Sequence, residues 1–273
     1  MPDFVKEFFQ PKVHIPSIEP EIIGYFLGWP FSNTSVFLFF TLILALIVLY
    51  LVKKSTPVPG YFQSLVEIFL ELVEKLLSSL TSNRPHRTAQ LLFPIAAVFL
   101  IVGSINIIGS LPIISQITWT DHGHTIPLLR KATSDINVTL PLALTIVLSM
   151  QVFGVQNWGL IGYFKRFFPF DLLWQGAKKG LGAFMMSLIM FFVGLLEFVS
   201  EIVRVISLSL RLFGNMFAGE ILLAILISIF AIGLPAIWLG FDFLVAIIQT
   251  LVIGCLTAVY YMLVVKEEGQ EHH

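Results

Sequence analysis

Charge is what this sequence has least of. Of its 273 residues, 12% are charged and 57% are hydrophobic, and mean hydropathy is +0.90. Soluble domains carry about 25% charged residues, and a soluble particle this poor in polar surface would expose aggregating apolar patches. The composition therefore reads as a polytopic membrane protein with one membrane domain. The net charge of −1 supplies no basic field, and no nucleic-acid partner is expected. The single cysteine, Cys255, excludes an internal disulfide and a cysteine-built metal cluster. None of the six histidines (His14, His86, His122, His124, His272, His273) falls in an apolar span, which excludes a bis-histidine haem within the bilayer. HExxH, a phosphate-binding loop and GxSxG are also missing. No cofactor and no metal is expected. The opening "MPDFVKEFFQPKVHIPS" has Asp3 and Glu7 and lacks an early apolar core. Neither a cleavable signal nor a transit peptide is read there, and the first span is expected to act as its own signal.

What is present is a series of apolar runs near the roughly 20 residues that a span requires. The first is 34–52, closed by Lys53 and Lys54, after an outer N-terminal segment at 1–33. Residues 60–80, "YFQSLVEIFLELVEKLLSSL", place Glu67, Glu71 and Glu74 at spacings of four and three. That is the pattern of an amphipathic helix lying on the membrane surface. Residues 89–110 and 135–157 form a hairpin of two spans around a polar loop, 115–134, and Ser134 or Asp135 is placed to cap the second. "YFKRFFPFDLLWQGAKKG" reads as a basic and aromatic interfacial loop.

The last stretch is different. From Leu181 to Ile232 the chain is apolar but carries Glu197, Glu201, Arg204, Arg211 and Glu220, and "GLP" at 233–235 reads as a turn before a final helix at 236–265. Fifty helical residues extend about 75 Å, against a hydrocarbon core of about 30 Å. The segment is either two ordinary spans or one steeply tilted helix. Basic clusters at Lys53–Lys54, Arg84 and Arg87, Lys165–Arg166, Lys178–Lys179 and Lys266 all fall on the cytoplasmic side only if it is one helix. The fold class is thus all-α: about five membrane-embedded helices plus one surface helix, with the last two, 181–232 and 236–265, long and tilted in one membrane domain over 34–273.

Ionisable groups at mid-bilayer cost roughly 2.5–3.5 kcal/mol each on insertion scales, so this density calls for a water-lined path or a partner. Glu197, Arg204 and Arg211 are spaced by seven, with Asn215 one turn further, and Asp242 and Gln249 share a stripe on the last helix. If the two helices pair about the turn, Glu220 and Asp242 come together, and two close carboxylates cannot both ionise cheaply. Glu197 could pair with Arg204, and Glu201 reads as a solvated face residue. Gly214 and Gly219 would allow close helix packing. Arg211 keeps its proton at any physiological pH and has no acid one turn away. Its partner is expected on another chain.

"SLSLRLFGNMFAGE" at 207–220 strongly resembles the signature of the a subunit of F-type ATP synthases, the stator channel protein of the membrane sector. "IIQTLVIGCLTAVYY" and "SDINVTLPLAL" extend the resemblance, which covers the chain from about residue 35 to its end. It implies two long helices embracing a rotating ring of c subunits, with peripheral-stalk b subunits as further partners in the lipid bilayer and protons as the transported ion. Arg211 matches the family's essential arginine. Asn215, Glu220 and Gln249 match residues of the outer half-channel, and Asp135 falls at its mouth. Glu197 falls on the inner half-channel and Arg204 where a basic residue is common. Asp242 departs from a family pattern that pairs a carboxylate with a histidine at 220 and 242. The expected role is a proton-translocating stator with no catalytic chemistry of its own, in a bacterial plasma membrane or, alternatively, an organelle inner membrane. The rival reading is a self-contained secondary transporter or ion channel, which requires an internal partner for Arg211.

Overall fold

The computed structural model describes residues 20–26, 29–53, 60–80, 85–111, 118–121, 124–127, 129–230 and 233–265. The N-terminal residues 1–19 and the basic residues Lys54, Arg84 and Lys266 lie outside the described set. The chain divides into two compact units that interleave in sequence, 1–139 with 210–258 and 140–209 with 259–273.

The all-α polytopic class holds. Helices α1 (Asn33–Lys53), α2 (Tyr61–Leu80), α3 (Pro85–Gly109), α4 (Ile136–Phe167), α5 (Phe170–Lys179), α6 (Leu181–Ile229) and α7 (Gly233–Val265) carry the fold. Among the described residues, four stretches are long and apolar enough to cross a membrane, Leu91–Gly109, Ile136–Gln156, Leu181–Ile229 and Gly233–Met262, and α1 contributes a shorter one at Asn33–Val48. Helix α6 is continuous over 49 residues, about 74 Å of helix.

Four local features differ from the sequence reading. Two short antiparallel ribbons are present, β1 (Ile22–Phe26) with β2 (Trp29–Ser32) and β3 (Thr118–Asp121) with β4 (His124–Pro127). Both are hairpins satisfying their own backbone groups outside the spans. Helix α4 continues past its span through a kink at Gly159, whose φ of 71° suits a residue without Cβ. Most of the expected interfacial loop is helical, because α5 is amphipathic, with acidic Asp171 in its first turn. The "GLP" segment opens α7 rather than preceding it; Pro235, in the first turn, lacks only an N–H that has no helical partner there.

In the first unit, α2 buries Val73 and Leu77 while exposing Glu67, Glu71 and Glu74. Ser32 caps α1 by accepting the Ser35 N–H at 3.3 Å. Helices α3 and α7 meet where glycine makes room. A Cβ on Gly103 would lie 3.1 Å from the Thr250 methyl, and one on Gly254 would fall inside the Phe99 ring. In the second unit, a Cβ on Gly194 would lie 2.5 Å from the Phe167 carbonyl oxygen, so glycine lets α6 approach the end of α4. Many large apolar side chains of α6 stay exposed, Met185, Ile189, Phe192, Leu196, Val203 and Leu210 among them.

Candidate functional site

The first unit gathers the polar residues nominated for the outer path. A buried 3-10 turn, Ala132–Ser134, ends at Asp135. Asp135 caps α4: its carbonyl accepts the N–H groups of Val138 and Thr139, and its Oδ1 accepts that of Asn137 at 2.9 Å. Its Oδ2 accepts the Thr34 hydroxyl at 2.8 Å, which ties the turn to the start of α1. Asp135 is thereby buried with structural partners.

That turn aims two cations at two helices. Arg130 Nε donates to Glu220 Oε2 at 3.1 Å, and the Ser134 hydroxyl donates to Oε1 at 2.6 Å. The Arg130 guanidinium also lies 6.0 Å from the centroid of the Phe217 ring. Lys131 Nζ donates to Asp242 Oδ2 at 2.5 Å. Each of the two carboxylates expected to come together has an ion pair of its own, Glu220 with Arg130 and Asp242 with Lys131. Asn215 Nδ2 donates to Gln249 Oε1 at 2.8 Å, which links α6 to α7. Trp238 Nε1 adds a bond to the Gly219 carbonyl at 3.2 Å. Gly219 lies against Asp242, where a Cβ would be 2.7 Å from Oδ1. At Gly214 a Cβ would meet nothing within 4 Å among the described residues, so the close packing expected there finds no contact among them.

Arg211 stands apart. It is half-buried, and among the described residues it has no ion pair, hydrogen bond or aromatic contact.

Sequence reading missed a further polar set. Asn106 is fully buried on α3 with neither amide atom partnered among the described residues, and Ser110 Oγ and Thr133 Oγ1 are in the same condition; Gln249, expected from the sequence, likewise has its Nε2 buried without a partner there. Polar atoms in that condition suit water. The signal for Asn106 was available, since an asparagine inside an apolar span is costly unless it finds a partner.

Glu197 and Arg204 belong to the second unit, and they do not pair there. Arg166 donates to Glu197 Oε1 through Nε at 2.7 Å and also through Nη2. Gly194, one turn before Glu197, permits that approach. Arg204 Nη1 donates to both carboxylate oxygens of Glu201 at 2.8 and 2.7 Å, and its guanidinium carbon lies 4.0 Å from the Tyr260 ring centroid. Gln151 Nε2 completes the cluster by donating to Glu201 at 2.7 Å. Glu201 is therefore the centre of a network rather than a solvated side chain. The spacing of seven that favoured Glu197 with Arg204 loses to the spacing of three between Glu201 and Arg204. Beside them Tyr163, beyond the α4 span, is buried, and that burial together with the negative charge of Glu201 pushes its phenol up to about 12.

Residues 34–262 match the family described as ATP synthase A chain. The ATP synthase subunit a of Mycobacterium bovis is 34% identical over 241 residues, covering 85% of each chain. That of Mycobacterium ulcerans is 36% identical over 246 residues, 85% of this chain and 87% of the relative. That of Ehrlichia canis is 29% identical over 259 residues, 91% and 93% of the two chains.

Proposed function

The chain belongs to the ATP synthase A chain family, a multi-pass membrane subunit serving ATP synthesis and proton transport, and we propose that it forms two half-channels that feed and drain a rotating ring of c subunits. The observation that carries this reading is the isolation of Arg211. The other charges of α6 and α7 are paired: Glu197 with Arg166, Glu201 with Arg204, Glu220 with Arg130 and Asp242 with Lys131. A guanidinium cannot escape its charge by losing a proton, so an Arg211 without a partner among the described residues of its own chain calls for an anion on another. A carboxylate on the passing ring meets that need.

On this reading the outer path runs by Glu220, Asp242, Asn215 and Gln249, with Asp135 bracing its mouth, and the inner path runs by Glu197 with Arg204 as an accessory. A ring carboxylate protonated from the outer path can face lipid, whereas an ionised one cannot. After releasing its proton to the inner path, the ionised carboxylate meets Arg211, which stabilises it without protonating it and bars a direct leak. Each charge moved through the field yields about 2.3 kcal/mol per 100 mV, the source of torque. The exposed apolar face of α6 suits contact with the ring and with lipid, and its length suits a tilted helix. Residues 34–273 then form one membrane domain, with the segment 1–33 outside. The c ring and the peripheral-stalk b subunits are the proposed partners, and a bacterial plasma membrane is the proposed location, since the relatives above come from bacteria.

The test joins function to contact in the assembled complex. Arg211→Ala and Arg211→Lys are expected to abolish ATP-driven proton pumping, the lysine because it sheds its proton when desolvated. A cysteine at exposed Leu210, in a Cys255→Ser background, is expected to form a disulfide with one beside the ring carboxylate and so to stop pumping. Normal pumping in either arginine variant would refute the reading. Failure to cross-link in a verified complex would return the self-contained transporter.

A further inference from the structure

We propose that Arg130 and Lys131 are the counter-charges of the outer proton path, positioning residues that hold Glu220 and Asp242 as two separate proton stations, with Lys131 the more critical. This rests on the reading that those carboxylates belong to the path.

Cations in a loop outside the spans ordinarily keep their heads in water. These two do not. The side chains of Arg130 and Lys131 are 7% and 14% exposed, and their partners Glu220 and Asp242 are 13% and 6% exposed. Burying four charges is costly unless each is matched, and here two cations meet two anions with no remainder. Their placement is built into the backbone. The Lys131 carbonyl accepts the Ser134 N–H at 3.1 Å and the Ser134 hydroxyl at 2.8 Å, which fixes the dipeptide at the head of the buried turn.

The slot for the lysine is built from two further helices. Its stem passes Gly109 of α3, where a Cβ would lie 3.2 Å from Lys131 Cγ. Its partner's other oxygen, Asp242 Oδ1, lies over Gly219 of α6. Two glycines on two helices thus leave room for one ion pair.

The two cations are not equivalent. Glu220 has both Arg130 and the Ser134 hydroxyl, whereas Lys131 supplies the ion pair of Asp242 alone among the described residues. Without Lys131, Asp242 would lie buried without a counter-charge. Each carboxylate is thereby fixed at its own cation, Glu220 at Arg130 and Asp242 at Lys131, rather than against the other.

The experiment compares Lys131→Gln, which keeps most of the stem and loses the charge, with Lys131→Arg, which keeps the charge. ATP-driven proton pumping is measured in inverted membrane vesicles at matched content of this chain and of the ring. Lys131→Gln is expected to lose pumping by about tenfold or more, and Lys131→Arg to retain most of it. Wild-type pumping by Lys131→Gln, or equal loss in both variants, overturns the proposal. Should the glutamine variant assemble poorly, Lys131→Cys in the Cys255→Ser background is assembled first and then treated with 2-aminoethyl methanethiosulfonate. Recovery on restoring the cation supports the proposal, and no recovery after labelling confirmed by mass spectrometry overturns it. Arg211→Ala serves as the reference. If it pumps normally, the stator reading fails. If it is inactive while Lys131→Gln is fully active, only the present inference fails.

Discussion

Replacing Arg130 by methionine removes a guanidinium whose Nε lies 3.1 Å from Glu220 Oε2 and leaves the volume of its stem behind. With the Glu220 side chain only 13% exposed, the abandoned carboxylate cannot turn to bulk water. Among the described residues its hydrogen-bond partner would then be the Ser134 hydroxyl, 2.6 Å from the other oxygen. Breaking one side of a buried ion pair costs about 3–5 kcal/mol. Ser134→Ala removes a hydrogen bond to a charged group, worth about 1.5–3 kcal/mol. Arg130→Met combined with Glu220→Leu removes both charges and leaves an apolar contact, an exchange that is often neutral or stabilising. The expected order of destabilisation is therefore Arg130→Met first, Ser134→Ala second and the double variant last. Thermal release of this chain from the detergent-solubilised complex, followed on native gels, reads that order. Release of Arg130→Met at the wild-type temperature, or a double variant no more stable than Arg130→Met, would refute the reasoning.

Three other outcomes are expected. Gly254→Ala drives a methyl into the Phe99 ring and should lower the release temperature through overpacking of about 1–3 kcal/mol; Phe99→Leu in the same chain should restore it, and an additive loss would contradict the contact. Gly219→Ala sets a Cβ 2.7 Å from Asp242 Oδ1, while Gly214→Ala meets nothing within 4 Å, so only the former should disturb the isolated chain in a thermal scan, and the reverse order would count against the geometry. Tyr163 is raised to about 12 by burial first and by Glu201 second. Its stabilising contribution is whole below the ordinary tyrosine value of about 10 and is lost as pH climbs from there to about 12. Tyr163→Phe should outlast the wild type in an alkaline stability ramp over that window, and coincident curves would deny the burial.

The fold class was legible because apolar runs of spanning length leave few alternatives in a chain this poor in charge. The continuity of α6 was legible from the basic clusters, since Lys178–Lys179 before α6 and Lys266 after α7 fall on one side only if α6 is a single helix. The two ribbons were not, since strands of four or five residues closed by their own hairpins carry too few positions for alternation to register. Helix α5 escaped notice for a related reason: ten residues barely complete an amphipathic pattern, and their aromatic and basic composition suits an interfacial loop equally well. In the site, spacing on one helix found which acids and amides lie where, but it could not find their partners. Arg130 is 90 residues from Glu220 and Lys131 is 111 from Asp242, and both cations sit in what reads as an outer loop. Arg166 is similarly hidden at the end of α4, 31 residues from Glu197. For Arg211 the sequence showed only that its own helix offers no acid one turn away; that no other described element supplies one needed the structure.

The docking of the 130–135 turn on α6 and α7 has a consequence for how this protein can be altered or exchanged. Loops between spans are commonly treated as replaceable linkers in chimeras. Here the segment supplies half of a matched charge set whose other half is encoded about a hundred residues later. Transplanting a relative's hairpin without its last two helices, or those helices without the hairpin, would strand buried charges of one sign on each side of the graft. The two stretches therefore have to be exchanged as one part, although the sequence separates them.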